Sequence, residues 1–269
     1  MKSRKIFHIL LAMLTLVVGG MLMNFGHEGA GLITAISPAM MNALSGRARA
    51  VYNYIQQEWG QTGDPNIDGA VASLIATQSY LRCESLITNS ASKYTFDILA
   101  NGNETPVERK LNKNDVFIVT HLAGYLIQYT AVAGVIQKWT SPLQTYPNAT
   151  YFAGTPTPGD LNVFYNGFLN ISVGRVKFFD GYPAHLFAKY PRTQQTTSAN
   201  YSDRELSDGG ASIEPLAILS GSANNTIEWN IPMGQGALAI ADNGATTVTK
   251  VVFHPFGFLV NNAANYVNY

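Results

Sequence analysis

Histidine, cysteine and clustered carboxylates are the residue types in this chain that could bind metals or transfer protons. The single cysteine, Cys83, cannot form a thiolate cluster or an intrachain disulfide, and we interpret it as a small buried hydrophobe. No two histidines have the spacing of zinc ligands; they are His8, His27, His121, His185 and His254. His121 and His254 lie in apolar segments and are predicted to be hydrogen-bonded core residues. These residues therefore predict no metal centre.

Three carboxylates occur together in a polar segment, at Asp203, Glu205 and Asp208 around Arg204. Such a group could attract calcium, but it lacks the ligand spacing of a calcium-binding loop, and we interpret it as solvated. A Gly-x-x-Gly-x-Gly sequence follows an apolar segment rather than a strand, which does not suit nucleotide binding. The sequence assigns no catalytic, cofactor-binding or metal-binding residue. We expect a non-enzyme, although dispersed carboxylates of a β-sandwich enzyme would escape detection by spacing.

Charge is scarce and balanced in this chain. Its 269 residues include 17 basic and 17 acidic ones, which gives a net charge of zero and argues against a globally basic nucleic-acid-binding protein. Charged residues make up 13% of the chain, whereas about 25% is usual. This composition suits either an exported β protein or a subunit whose surface is covered by neighbouring subunits.

The segment 1–27 combines a basic start with a long apolar run. Lys2, Arg4 and Lys5 precede Ile6–Phe25, and about twenty apolar residues suffice to span a bilayer as a helix. We predict a membrane-inserting helix whose basic flank stays on the cytoplasmic side. A cleaved secretory signal and a helix buried within an assembly are the alternatives.

The segment 28–85 is predicted to be a helical arm with a linker. Ser37 and Pro38 form a good helix start, and apolar residues then recur every three or four positions as far as Trp59, where Gly60 can end the helix. This amphipathic helix packs either on its own domain or against a membrane surface or a neighbouring subunit. A second helical pattern begins at Asp64-Pro65 and is predicted to continue through Gln78.

The segment 86–269 is predicted to be a β body. Within 161–191, apolar and polar residues alternate between tight turns, which predicts strand, turn, strand, turn and strand. Ile227, Trp229 and Ile231 define one apolar face of a later strand, and Pro255 divides the last one. We count nine to ten strands and no βαβ alternation, which indicates an antiparallel sandwich or barrel.

Residues 115–129 are predicted to form a strand with two apolar faces, which would be buried on both sides. Gly124 suggests a bulge near its middle. The predicted faces are Val116, Ile118 and Leu122 on one side, and Phe117, Val119, Ala123 and Tyr125 on the other. Residues 138–160 are predicted to form a long loop. Long loops between strands of different polarity favour a jelly roll over an up-and-down barrel.

From Tyr94 to Asn262, about two-thirds of the chain, the order of segments resembles that of jelly-roll major capsid proteins of small bacterial viruses. The resembling segments are YTFDIL, PVERKLNKNDVFIVTHLAGYLIQ, LNVFYNGFLNISV, FFDGYPAHLF, EPLAILSGSANNTIEWNIP and KVVFHPFGFLVNN. The apolar arm points within this group to lipid-containing phages, which have a membrane beneath the shell. Those phages resemble the double-barrel capsid lineage, whereas the strands counted here fill one jelly-roll barrel comfortably and two only if many short strands escape detection.

The resemblance implies a structural capsid protein of the virion. Its β body would assemble with copies of itself, as trimers in an icosahedral lattice, and with other capsid proteins. The arm would contact neighbouring subunits or an underlying bilayer through Ile6–Phe25, and Lys2, Arg4 and Lys5 could meet packaged nucleic acid. The alternative is an exported or membrane-anchored bacterial β-sandwich protein, adhesin-like, located in the cell envelope or outside the cell.

Overall fold

The computed structural model describes residues 46–88, 91–132, 135–139, 143, 163–188, 210–232 and 247–267. The chain divides into two compact units, Met1–Ala35 and Ile36–Tyr269, and every described residue belongs to the second unit. The first unit, with the apolar run Ile6–Phe25, lies outside the described residues. The membrane-inserting helix therefore stays a prediction.

Among the described residues, two helices precede the strands. Helix α1 spans Gly46–Tyr54 and continues as a π-helical segment, Ile55–Trp59, whereas helix α2 spans Pro65–Ala72. The strands are β1 Ala76–Tyr80, β2 Cys83–Leu86, β3 Lys93–Thr95, β4 Val116–Val132, β5 Val135–Trp139, β6 Phe168–Val173, β7 Val176–Pro183, β8 Gly210–Ser220, β9 Asn225–Asn230, β10 Thr247–Phe253 and β11 Phe256–Val260. Short 3-10 helices cover Ala184–Phe187 and Ala264–Tyr266.

The larger sheet is organised around β4, a strand of 17 residues. Strands β11 and β10 pair end to end along one side of β4, and β8 and β5 pair along its other side. Beyond them, β1 pairs with β11 and β2 pairs with β10. All of these pairs are antiparallel. The interrupted strands therefore form long rows, β1 with β2 and β11 with β10, beside β4.

The smaller sheet has the order β3, β9, β6, β7, again with antiparallel pairing. Side chains from both sheets share one hydrophobic cluster, which includes Phe117 of β4, Phe253 of β10, Ile171 of β6 and Trp229 of β9. The predicted mainly β, antiparallel class is confirmed. Within the described residues the strands form two separate sheets and not a closed barrel.

Strand β4 is buried on both faces, as its two apolar faces predict. We call the side toward the smaller sheet the inner face and the opposite side the outer face. The predicted faces are wrong beyond Val119, because the pairing with β8 shifts register between Val119 and His121. Leu122 consequently shares the inner cluster with Phe117 and Val119. The irregularity precedes Gly124, where the sequence suggested a bulge.

Helix α1 packs on the outer face of its own domain, which was one of the two predicted alternatives. Its buried residues share a cluster with Val116 and Ile118 of β4. The Tyr52 hydroxyl donates to the Ala76 carbonyl at 3.0 Å, and the Ala76 N–H donates back to that hydroxyl at 3.1 Å. The helix is therefore tied to the edge strand β1 as well as to the sheet face.

The second helical segment is shorter than predicted. It begins as expected, with Pro65 at its first position and the Asp64 carboxylate accepting the Asn66 N–H at 2.9 Å. It ends at Ala72, and Ala76–Tyr80 instead forms β1 against β11. Long-range pairing with the sheet edge overrides the local helical period. Strand β1 and the first three residues of β2 thus lie within 28–85, the segment assigned to the arm.

The central stretch 161–191 contains two of its three predicted strands. Strands β6 and β7 flank a turn in which Gly174 has a φ of 58°, a conformation that favours glycine. Residues 163–165 form a helical turn where the first of the three strands was predicted, and Ala184–Phe187 forms a 3-10 helix after β7. Strand β5 pairs with β4 as a hairpin and extends into the predicted loop 138–160.

Candidate functional site on the outer face of the larger sheet

Titratable side chains of the described residues converge on Glu84 in the outer face of the larger sheet. Glu84 lies in β2, Lys250 in β10 and Tyr129 in β4, and Arg82 immediately precedes β2. These strands are neighbours in the order β2, β10, β4, so the alternation of side chains brings residues far apart in sequence to one face. We call these four residues the Glu84 cluster.

Both carboxylate oxygens of Glu84 are engaged. Oε1 accepts hydrogen bonds from the Arg82 guanidinium, Nη2 lying at 2.8 Å, and from the Tyr129 hydroxyl at 2.6 Å. Oε2 accepts from the Lys250 ammonium at 3.0 Å. The Glu84 backbone N–H also donates to the Glu108 carboxylate, at 3.3 Å. The Glu84 carboxylate therefore joins β2, β10 and β4, and the Glu84 backbone adds a contact with Glu108.

The Glu84 cluster is shielded from water. The side chain of Glu84 is 0% exposed, that of Arg82 9% and that of Lys250 13%. Burial, reinforced by the Glu84 charge, raises the pKa of the Tyr129 hydroxyl well above its usual range, so Tyr129 remains a neutral donor. Because each group is already paired inside the cluster, this arrangement is suited to holding strands in register and not to proton transfer.

No local sequence pattern predicts that the four residues of the Glu84 cluster contact one another. Arg82 and Glu84 fall in a segment assigned to the arm and its boundary, and Tyr129 and Lys250 are polar interruptions of apolar strands. Period-two alternation does place Glu84 and Arg82 on a common face once this segment is known to be a strand. Only the pairing of strands supplies their partners.

The two histidines predicted to be hydrogen-bonded core residues differ in their hydrogen bonding. His121 is hydrogen-bonded as expected, with Nδ1 at 3.1 Å from the Thr120 hydroxyl. His254 is enclosed as well, but neither of its ring nitrogens has a hydrogen-bond partner within the described residues. The prediction of a bonded histidine is therefore wrong at His254. The reason is that its neighbours are aromatic rings, of which Tyr80 and Phe256 are the nearest.

Two of the remaining candidate residues from the sequence, Cys83 and His185, lie within the described residues. Cys83 is buried as predicted, with 1% exposure, and burial raises the pKa of its thiol. His185 lies in the exposed part of a 3-10 helix. His8, His27 and the carboxylate segment 203–208 lie outside the described residues, as do the basic residues near the N-terminus. Of these candidates, Cys83 and His185 are the two that the structure describes, and they lie in different elements, β2 and the 3-10 helix after β7.

The described part of the chain lacks two further kinds of feature. Among these residues, no group of three or more histidine, cysteine, aspartate or glutamate side chains is arranged to hold a metal ion. None of the helices in the described ranges has the length and apolar character needed to cross a membrane. The outer face therefore offers the Glu84 cluster and His254 as its unusual features.

Comparison with known proteins finds no matching family model, no matching curated protein and no matching solved structure.

Proposed function

We propose that this protein is a structural shell protein with a jelly-roll body, and the strand order is the observation that carries this proposal. Within the described residues there are eight rows in chain order, when strands that lie end to end are counted once and β5 is counted with its hairpin partner β4. Row 1 is β1 and β2, row 2 is β3, and row 3 is β4 together with β5. Rows 4 to 7 are β6, β7, β8 and β9, and row 8 is β10 and β11. The larger sheet then has the order 1-8-3-6 and the smaller sheet 2-7-4-5. This is the order in which the two Greek keys of a jelly roll pair, a fold found in viral capsids and lectins.

The count of rows also supports one barrel per chain. Eight rows complete a single jelly roll, and a second would need about eight more. The proposal therefore departs from the double-barrel capsid lineage and retains the resemblance to small bacterial viruses. Low charge adds support, because subunits covered by neighbours need little charged surface.

Assembly of the purified full-length chain tests the proposal. We expect size-exclusion chromatography with light scattering to show trimers or larger species, and electron microscopy to show closed shells or curved lattices. A variant that begins at Gly46 serves as the matched control, because it retains both sheets and α1. It should still form trimers if the body builds the lattice.

A species that remains monomeric as its concentration is raised would contradict the shell proposal. The exported, adhesin-like protein would then be the better hypothesis, because a binding domain of this kind needs no lattice. The two hypotheses make opposite predictions for the same chromatographic measurement.

The proposed role of the arm is to enter a membrane beneath the shell through Ile6–Phe25, with Lys2, Arg4 and Lys5 at the far headgroups. We expect the intact chain to float with lipid vesicles, and Leu14→Asp with Val17→Asp to abolish flotation. Each charge near mid-bilayer costs about 2.5–3.5 kcal/mol on the insertion scale. Leu14→Ala with Val17→Ala keeps the segment apolar and should still float. A wild-type chain that stays at the bottom of the gradient would refute the membrane role.

A further inference from the structure

Two neighbouring rows of the larger sheet are interrupted at the same level, and the pairing of β4 beside them is irregular there. Strands β1 and β2 are separated by Leu81 and Arg82, and strands β10 and β11 by His254 and Pro255. The Leu81 N–H donates to the Pro255 carbonyl at 3.0 Å, so the two interruptions lie side by side. Strand β4 shifts register with β11 and β8 between Val119 and His121, next to the same place. We call this set of interruptions the kink line.

His254 occupies the kink line with its backbone paired and its side chain unpaired. Its N–H donates to the Ala123 carbonyl at 2.9 Å, and its carbonyl accepts the Ala123 N–H at 3.1 Å. The imidazole lies among aromatic rings, with centroid distances of 4.4 Å to Phe256, 5.0 Å to Tyr80 and 5.6 Å to Tyr125. Within the described residues, both ring nitrogens are buried without a hydrogen-bond partner. An imidazolium needs two acceptors, which this site does not provide.

The charges around the ring also oppose protonation. Arg82 is the charged group that acts on His254, and the Arg109 guanidinium lies 5.2 Å from the centre of the Tyr80 ring, over the same aromatic group. The nearby Glu84 carboxylate is already bound by Arg82, Tyr129 and Lys250. On β4, His121 is bonded to Thr120, whose hydroxyl also donates to the Phe256 carbonyl.

Burial, and secondarily the Arg82 charge, lower the pKa of His254 to about 4. The folded state therefore binds fewer protons than an open state with the ordinary value of 6.5. Stability is fully present above about pH 6.5 and is lost progressively as the pH falls toward 4. With these two values, acid favours an open state by about 30-fold at pH 5 relative to pH 7.5.

We propose that the kink line is an acid-operated hinge, in which protonation of His254 detaches the edge strand β1, together with α1, from the sheet. Tyr80, which packs on the His254 ring, is the last residue of β1. Strand β1 pairs on one side with β11 and is tied to α1 through Tyr52. Moving β1 is thus the shortest way to bring water to the imidazolium.

Arg82 provides the pivot. Its backbone N–H and carbonyl pair with Arg109 at 2.8 and 3.0 Å, and its side chain is bound by Glu84. Strand β2, which follows Arg82, therefore stays in the sheet, whereas β1, which precedes it, moves away from β11. The device belongs to the single chain and does not depend on the proposed shell function.

Amide hydrogen exchange of the full-length chain at pH 7.5 and pH 5 tests the hinge, with rates expressed as protection factors. We expect protection of the Ala76–Tyr80 amides to fall about 30-fold at pH 5. This is the factor by which the equilibrium between folded and open states shifts when the pKa of His254 is about 4 in one and 6.5 in the other. Protection of β9, in the other sheet, should be the same at both pH values, because its amides do not exchange through this local opening. His254→Phe keeps an aromatic ring that cannot be protonated and should remove the acid response. His185→Gln, at an exposed histidine, should behave as wild type.

Three results would overturn the hinge: equal loss of protection in β1 and β9, an unchanged acid response in His254→Phe, or no acid response in wild type. If His254→Phe does not fold at pH 7.5, the titration of His254 in wild type decides, measured by nuclear magnetic resonance. A pKa of about 4 supports the proposal. An ordinary value in the folded protein refutes it.

Discussion

Replacing Trp229 with alanine is expected to lower the free energy of unfolding by about 3–5 kcal/mol, the usual range for removing a large aromatic side chain from a core. Trp229 is 0% exposed between the two sheets. Its ring contacts Phe187, with centroids 5.6 Å apart, and its indole N–H donates to the Phe164 carbonyl at 2.8 Å. Alanine would leave a cavity and would remove one of the two hydrogen bonds that the Phe164 carbonyl accepts, the other coming from the Gly167 N–H at 3.3 Å.

Urea unfolding, followed by circular dichroism, measures this loss. Thr226→Ala is the matched control, because Thr226 lies on the same strand and is exposed. It should change the free energy of unfolding by no more than about 0.5 kcal/mol. A loss below about 1 kcal/mol for Trp229→Ala would contradict a core position.

Replacing Glu84 with glutamine is expected to cost about 3–5 kcal/mol, the range seen when one partner of a buried ion pair is removed. Glutamine has nearly the same shape but no charge, so Arg82 and Lys250 would lose the charge of the carboxylate that both contact. The Glu84 side chain is 0% exposed, so solvent does not reach this position to compensate for the lost negative charge. The same urea measurement applies.

Glu228→Gln is the matched control for Glu84→Gln. Glu228 pairs with Lys93 at 2.9 Å, but the Lys93 side chain is 52% exposed, and a pair of this kind contributes about 0–1 kcal/mol. Adding Lys250→Met to Glu84→Gln should recover part of the stability, because it removes one unpaired cation. Equal effects of the two Glu→Gln changes, or no recovery in the double variant, would show that Glu84 does not neutralise buried charge.

Local sequence signals predicted those features that depend on neighbours along the chain. Asp64 and Pro65 begin a helix because a carboxylate cap and a proline without an N–H satisfy its first turn, and Gly60 ends the preceding one. Alternation places Ile227 and Trp229 on the buried face of β9. Pro255 separates β10 from β11, since it has no N–H for a continuous ladder. Antiparallel class and approximate strand positions follow from such signals.

Tertiary structure decided what depends on partners distant in sequence. The predicted helical pattern extends to Gln78, yet residues 76–80 form β1, where they pair with the edge of β11. The irregularity in β4 lies before Gly124 because β8 and β11 both shift register there. Gly124 itself is needed because a Cβ would collide with the Trp229 ring.

The candidate site shows the same division. Sequence reasoning located His254 in an apolar strand, but the absence of a ring partner among the described residues follows from the aromatic rings that three strands bring around it. The Glu84 cluster and the order of the rows were invisible in the sequence, since both arise from pairing between strands up to 166 residues apart. Alternation shows which residues share a face of one strand, whereas only the folded sheet determines which strand lies next to it.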